Sequence, residues 1–263
     1  MDAGQNRLPT AERQFYIHRH RPAIAAGGSV AGRERSMPRL YHTPLEPGSR
    51  RIRMALSEYG VEAQLLEERP GAPSDALLGL NPAAETPVFV DDDGTVACGI
   101  DAVAEYLEET RSARVTLLGR RPAERAETRR LVAWFDRRFM ADVTGPVLAE
   151  KVVRRFLPRE AGGGPPDMTR VRAAQGLVRD HLEYVGLLAD ERNWLAGNSL
   201  TSADLAAAAH LSCLDFLGEV PWGSAPAAKA WYQRLKSRPS FRPLLADYVR
   251  GITPPQSYAD LDF

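Results

Sequence analysis

Cysteine is scarce in this chain: there are two in 263 residues, Cys98 and Cys213, far apart and with no second pair. That excludes a disulfide framework and a cysteine-based metal motif, and both read as reduced, buried thiols with no metal site expected. Long apolar runs are missing as well. None approaches the roughly 20 residues needed to cross a bilayer, and the N-terminus lacks the basic, apolar and small-residue succession of a secretory signal. A cytoplasmic protein is the expectation. Net charge is absent too, since Lys plus Arg and Asp plus Glu stand at 34 each. No global field draws the chain to nucleic acid or to anionic lipid, so a charge-driven partner must be met by a local patch.

What is present is ordinary globular material, 44% hydrophobic and 26% charged, enough for one large domain or two small ones. Residues 1–36 stand apart: "AIAAGGSVAGRERS" is small and polar and "YIHRHRP" is basic without periodicity, so this stretch reads as a disordered extension or an over-long start, outside the fold. From Met37 short extended runs alternate with helices. "PRLYHT" and "VEAQLLEE" read as strands, and residues 49–59 carry Ile52, Ala55, Leu56 and Tyr59 at helical spacing. "PSDALLGL" is a short helix, "TPVFVDDDGTVACG" a hairpin around Asp93-Gly94, and "IDAVAEYLEET" a closing helix. The order is βαβαββα over residues 37–112, an α/β unit with a small mixed sheet.

Residues 120–250 read as helical almost throughout. Leu131, Trp134, Phe135, Val143, Val147, Leu148 and Val152 repeat along a run in which Gly145-Pro146 predicts a kink or break. "LPREAGGGPPD" is a loop. "SLTSADLAAAAHLSCLDFL" is apolar nearly all round, which marks a central helix, with Thr201 and Asp204 as a capping box at its start and His210 as a core histidine. Residues 251–263 read as a tail.

This arrangement resembles a cytosolic glutathione S-transferase. The likeness rests on the Pro-rich turn from Pro44 to Pro47, Thr86-Pro87 before the third strand, "YLEE" in the third helix, "WLAG" with "TSAD", and "RP" near the C-terminus. It covers Met37 to about Ala246 and implies an α/β thioredoxin-like N-terminal domain followed by an all-α C-terminal bundle. The stretches "ERAETRRLVAWFDRRF", "HLEYVGLLADERNWLAG", "SADLAAAAHLSCLDF" and "YADLDF" resemble more narrowly a branch of bacterial division proteins that bind polymers of the tubulin-like protein FtsZ.

The resemblance implies chemistry that the residues do not supply. In classes with a Ser or Cys in the first turn, that residue stabilises the glutathione thiolate, and the matching position is Glu46. An ionised carboxylate at about 4 Å repels a thiolate by about 4 kcal/mol at an effective dielectric near 20. Ser49 and Tyr41 are nearby hydroxyls, though Ser49 reads also as a helix N-cap and Tyr41 as a packed ring. An acidic residue and a Ser should grip the γ-glutamyl end at the start of the third helix; those positions are Gly99 and Ile100, with Asp101 a possible stand-in or a helix-terminal charge. Thr86 and Pro87 keep the family pattern, which implies a cis bond. The groove reads as vestigial, with no cofactor expected.

Two surfaces are left for partners. Residues 120–155 hold ten Lys or Arg against five acids, with Arg129, Arg130, Arg137 and Arg138 central to a basic ridge or a solvated face. The tail offers Tyr258, Asp260, Asp262 and Phe263 as a recognition peptide or a self-docked end, with other division proteins as its possible partners. The expectation is a homodimeric, non-catalytic adaptor on FtsZ polymers at the division site. A divergent glutathione transferase recruiting Ser49 or Tyr41 with Asp101 is the alternative, and an adaptor using glutathione only as a ligand is a third reading.

Overall fold

The computed structural model describes residues 36–263; the expectation for the extension over residues 1–36 falls, all but Ser36, outside the described residues. Strand β1 (Arg39–His42) leads into helix α1 (Pro47–Glu58), β2 (Gln64–Glu67), α2 (Asp75–Leu80), β3 (Val88–Val90), β4 (Val96–Cys98) and α3 (Ile100–Arg111). The sheet order is β2-β1-β3-β4, with β1 parallel to β2 and antiparallel to β3, and β3 antiparallel to β4. Side chains alternate across the pleat. Leu40 and Phe89 therefore join Ile52, Val103 and Leu107 of α1 and α3 in the main core, while Tyr41, Val88 and Val90 pack with Leu77 of α2 on the other face.

Helix α4 (Pro122–Ala133) begins a helical rod that runs to Phe156 through two π-helical segments, Trp134–Thr144 and Ala149–Val153. The break expected at Gly145-Pro146 does not occur. The Gly145 N–H reaches back five residues to the Met140 carbonyl, and a Cβ on Gly145 would stand 2.8 Å from that oxygen. The wider turn thus takes in Pro146, which has no N–H to give, and only glycine fits the pinch before it. After the loop come α5 (Met168–Glu191), α6 (Ser202–Phe216), α7 (Pro226–Lys236) and the short α8 (Arg242–Leu245).

Helix α6 is buried along its whole length. Its capping box forms: the Thr201 hydroxyl accepts from the Ala203 N–H, and Asp204 accepts from the Thr201 N–H. Against α6 lies α1, so the helical half is built onto the sheet half. Arg51 of α1 pairs with Asp136, and Arg238 pairs with Glu58, to which Ser240 also donates. Asp136 holds His210 as well, whose other ring nitrogen meets the Thr144 hydroxyl, consistent with the core role expected of it.

Residues 251–263 are docked rather than free. The Tyr258 ring is fully buried, edge-on to Phe216, and Phe263 packs between Trp222, Tyr232 and the Lys236 ammonium, which sits 4.0 Å from its centroid.

Candidate functional site

The first turn, Thr43 to Pro47, delivers the chain from β1 into α1. Pro47 occupies the first helical position, which makes Glu46 the N-cap. Its two carboxylate oxygens accept the Gly48 and Ser49 N–H groups. Ser49 is accordingly neither the N-cap nor a cleft hydroxyl; it is fully buried and its oxygen accepts from the Thr43 N–H. Tyr41 points to the α2 side of the sheet, so it supplies no hydroxyl here either. Burial pushes the Glu46 carboxyl up, against the pull of the Ser49 hydroxyl and of the Ser49 and Gly48 N–H groups. That softens the charge repulsion expected from the sequence and puts a different effect in its place. A helix N-terminus is a natural anion seat, and here the chain's own side chain fills it.

The remaining groove positions surround this turn. Thr86-Pro87 is cis, and the Thr86 hydroxyl lies 3.1 Å from that of Thr43. Gly99 caps α3 with φ +86°, a conformation that favours glycine and explains why no carboxylate stands there. Ile100 and Glu46 converge over Gly48: a Cβ on that glycine would meet the Glu46 Oε1 at 2.9 Å and the Ile100 Cδ1 at 3.1 Å. Asp101 is exposed in the first turn of α3. A hydrocarbon and a committed carboxylate thus face each other where ligand-binding donors would be needed.

On the other side of the turn opens a cleft of about 1350 Å³. Its walls are the first turn, the π-helical part of the rod, and residues 246–251. Thr86, Pro87, Gly99, Ile100 and Asp101 do not line it. His42 does, 95% buried with a ring nitrogen that has no partner among the described residues, and burial followed by the Arg53 charge lowers its pKa to about 4. As pH falls, the unfolded chain takes that proton first, near 6.5. The stability His42 contributes is therefore complete above about pH 6.5 and declines as pH drops through about 4, by about 3 kcal/mol in all. Urea unfolding across that window should show His42→Gln losing this part of the acid sensitivity; an unchanged slope would place the acid-labile group elsewhere.

Below the turn lies Arg50, which no motif in the sequence singles out. Its guanidinium is wholly buried and donates to the Pro44 carbonyl, the Ser212 and Tyr258 hydroxyls and Asp247. Burial opposes the charge, but Tyr258, Cys213 and Asp247 outweigh it and raise the pKa. Arg51 and Arg53 are likewise committed, to Asp136 and Asp247. One signal was available: Arg50, Arg51 and Arg53 crowd the positive end of a helix, where cations are disfavoured unless partners elsewhere hold them.

The partner surfaces also look different in place. Arg129 pairs with Glu105, Arg130 with Glu127 and the Tyr184 hydroxyl, and Arg138 with Asp142, leaving Arg137 exposed without a partner among the described residues. Tyr258 donates to the Leu244 carbonyl inside the core and is closed to partners, whereas Asp260 and Asp262 are exposed. Phe263 is half-buried on its own helices. Of the two thiols, Cys213 is buried, with burial pushing it up to about 12; Cys98 is only half-buried, less enclosed than expected.

Family models for the N-terminal and C-terminal domains of glutathione S-transferases match residues 47–110 and 163–239. The chain is 44% identical over 227 residues to FtsZ-localized protein A of Caulobacter vibrioides, covering 85% of this chain and 97% of that one. Among solved structures, FzlA from C. crescentus superposes with a TM-score of 0.82 at 44% identity, over 87% of this chain and all of that one. A glutathione S-transferase from Sinorhizobium meliloti does so with a TM-score of 0.82 at 49% identity, again over 87% of this chain and 100% of that chain.

Proposed function

The chain belongs to the glutathione S-transferase family, and from that premise we propose that it is a non-catalytic adaptor that binds FtsZ polymers and promotes constriction at the bacterial division site. The observation that carries this reading is Glu46 seated on the N-terminal N–H groups of α1. A ligand thiolate would have to displace an internal carboxylate from the donors it needs, and Ile100 offers it nothing in exchange. Likeness to FtsZ-localized protein A along most of the chain supports FtsZ as the partner. The adaptor would work in the cytoplasm as a homodimer, without glutathione as a cofactor, with Arg137 and the exposed carboxylates of Asp260 and Asp262 among the groups free to meet partners.

A second reading has its own support. The Thr43 and Thr86 hydroxyls still pair beside the first turn, and the solved relative from S. meliloti is named a glutathione S-transferase. One preparation separates the two. The purified chain is expected to co-sediment with FtsZ polymers while showing no glutathione conjugation above the uncatalysed rate. Turnover in that assay, together with failure to pellet, would reverse the assignment.

A further inference from the structure

Unpaired positive charge lies at the cleft as well as on the ridge, where Arg137 carries it. Arg69, Arg159 and Arg250 line the cleft, are exposed, and make no ion pair among the described residues. Arg155 joins them, held by the Gly251 carbonyl, which leaves its charge uncompensated. The acids at hand do not balance this. Asp247 is taken by Arg50 and Arg53, Glu46 is spent on its own helix, and Glu67 alone is left.

Between these arginines the walls are apolar. Leu45, Leu148 and Val152 form the floor, and Leu65, Phe156 and Tyr248 stand at the mouth, with Tyr248 76% exposed. Exposed apolar groups gathered in one place and rimmed by charge mark an interaction site more often than idle surface. The volume, about 1350 Å³, exceeds the roughly 300–1,000 Å³ of small-molecule clefts. Charge therefore calls for an anionic occupant, and size for an extended one.

We propose that the cleft between the first turn, the π-helical rod and residues 246–251 receives an extended acidic peptide segment of a partner protein. Its carboxylates pair with Arg69, Arg155, Arg159 and Arg250, and its apolar side chains enter between Leu148 and Phe156. This goes beyond the adaptor reading and holds whichever polymer the adaptor meets.

The test is fluorescence anisotropy on the full chain with a labelled synthetic peptide alternating Asp with Leu and Phe. Saturable binding is expected, weakening with added salt. The triple variant Arg69→Glu, Arg159→Glu, Arg250→Glu should weaken it by about tenfold or more, and so should Ala149→Trp, which fills the wall. Circular dichroism confirms that both variants fold. Arg129→Glu with Arg130→Glu, on the ridge, should leave affinity within about twofold. Equal binding of a probe with Ser in place of Leu and Phe would reduce the effect to charge attraction and overturn the proposal, as would indifference to Ala149→Trp. Binding of decanoate with no binding of the peptide would overturn it in favour of a small amphiphile. Peptide binding by a chain that fails to pellet with FtsZ would sustain the cleft assignment and remove only the polymer.

Discussion

Arg50→Met is expected to lower the unfolding free energy by about 3–5 kcal/mol, the range found when one partner of a buried charge network is removed. The replacement nearly matches the stem in volume, so the loss isolates the guanidinium. It strands the Pro44 carbonyl, which accepts at 2.6 Å, and takes a donor each from Ser212, Tyr258 and Asp247. Those four groups come from the first turn, α6, the end of the helical bundle and the tail. One side chain thus ties together segments remote in sequence, and a lysine could not fork to reach them. Against a total stability of about 5–15 kcal/mol, the midpoint of thermal unfolding should fall on the order of 10 °C. A guanidinium chloride curve displaced by less than about 1 kcal/mol would mean that water replaces the lost donors.

Asp204→Ala, in a different part of the molecule, should cost a similar amount, about 3–5 kcal/mol, because buried donors left unsatisfied cost about 1–3 kcal/mol each. One oxygen of Asp204 accepts from the Leu195 N–H and the Trp231 indole, and the other from the backbone and hydroxyl of Thr201. Alanine leaves these buried donors without an acceptor. A lost helix cap alone would cost about 1 kcal/mol, so the size of the effect distinguishes a cap from a junction. Asp204→Asn retains one acceptor oxygen and should fall between alanine and the parent protein in urea unfolding. Equal losses for the two variants would show that the charge, and not the acceptor geometry, holds the junction.

The sheet half was legible because its signals are local. Period-two runs, the Asp93-Gly94 turn and the spacing of Ile52, Ala55 and Leu56 each speak for their own segment, and the capping box at Thr201 is written in four residues. The cis bond at Pro87 followed from family resemblance, since nothing in the residues themselves demands it. The N-cap of α1 was misassigned because Ser outranks Glu as a cap, although Pro47 already marked Glu46 as the residue before the helix. Tail composition left a recognition peptide and a self-docked end both open, because the partners of Tyr258 and Phe263 lie more than ten residues away, which no local pattern records. Ridge arginines could be counted in the sequence, yet their partners, Glu105 for Arg129 and Tyr184 for Arg130, lie on other helices. The cleft was invisible for the same reason: Arg69, Arg159 and Arg250 are separated by long stretches of chain and meet only in space.

The wide turns of the rod bear on how this chain is compared with its kin. A turn closed over five residues instead of four holds one residue more than an ordinary helical turn, so a straight-helix relative would fall out of phase somewhere between Trp134 and Val153. Pairing residues by count along this rod would then rotate side chains away from their true counterparts by about 100° for each slipped position. The wall of the cleft thus presents side chains that an uninterrupted α-helix of the same sequence would turn elsewhere.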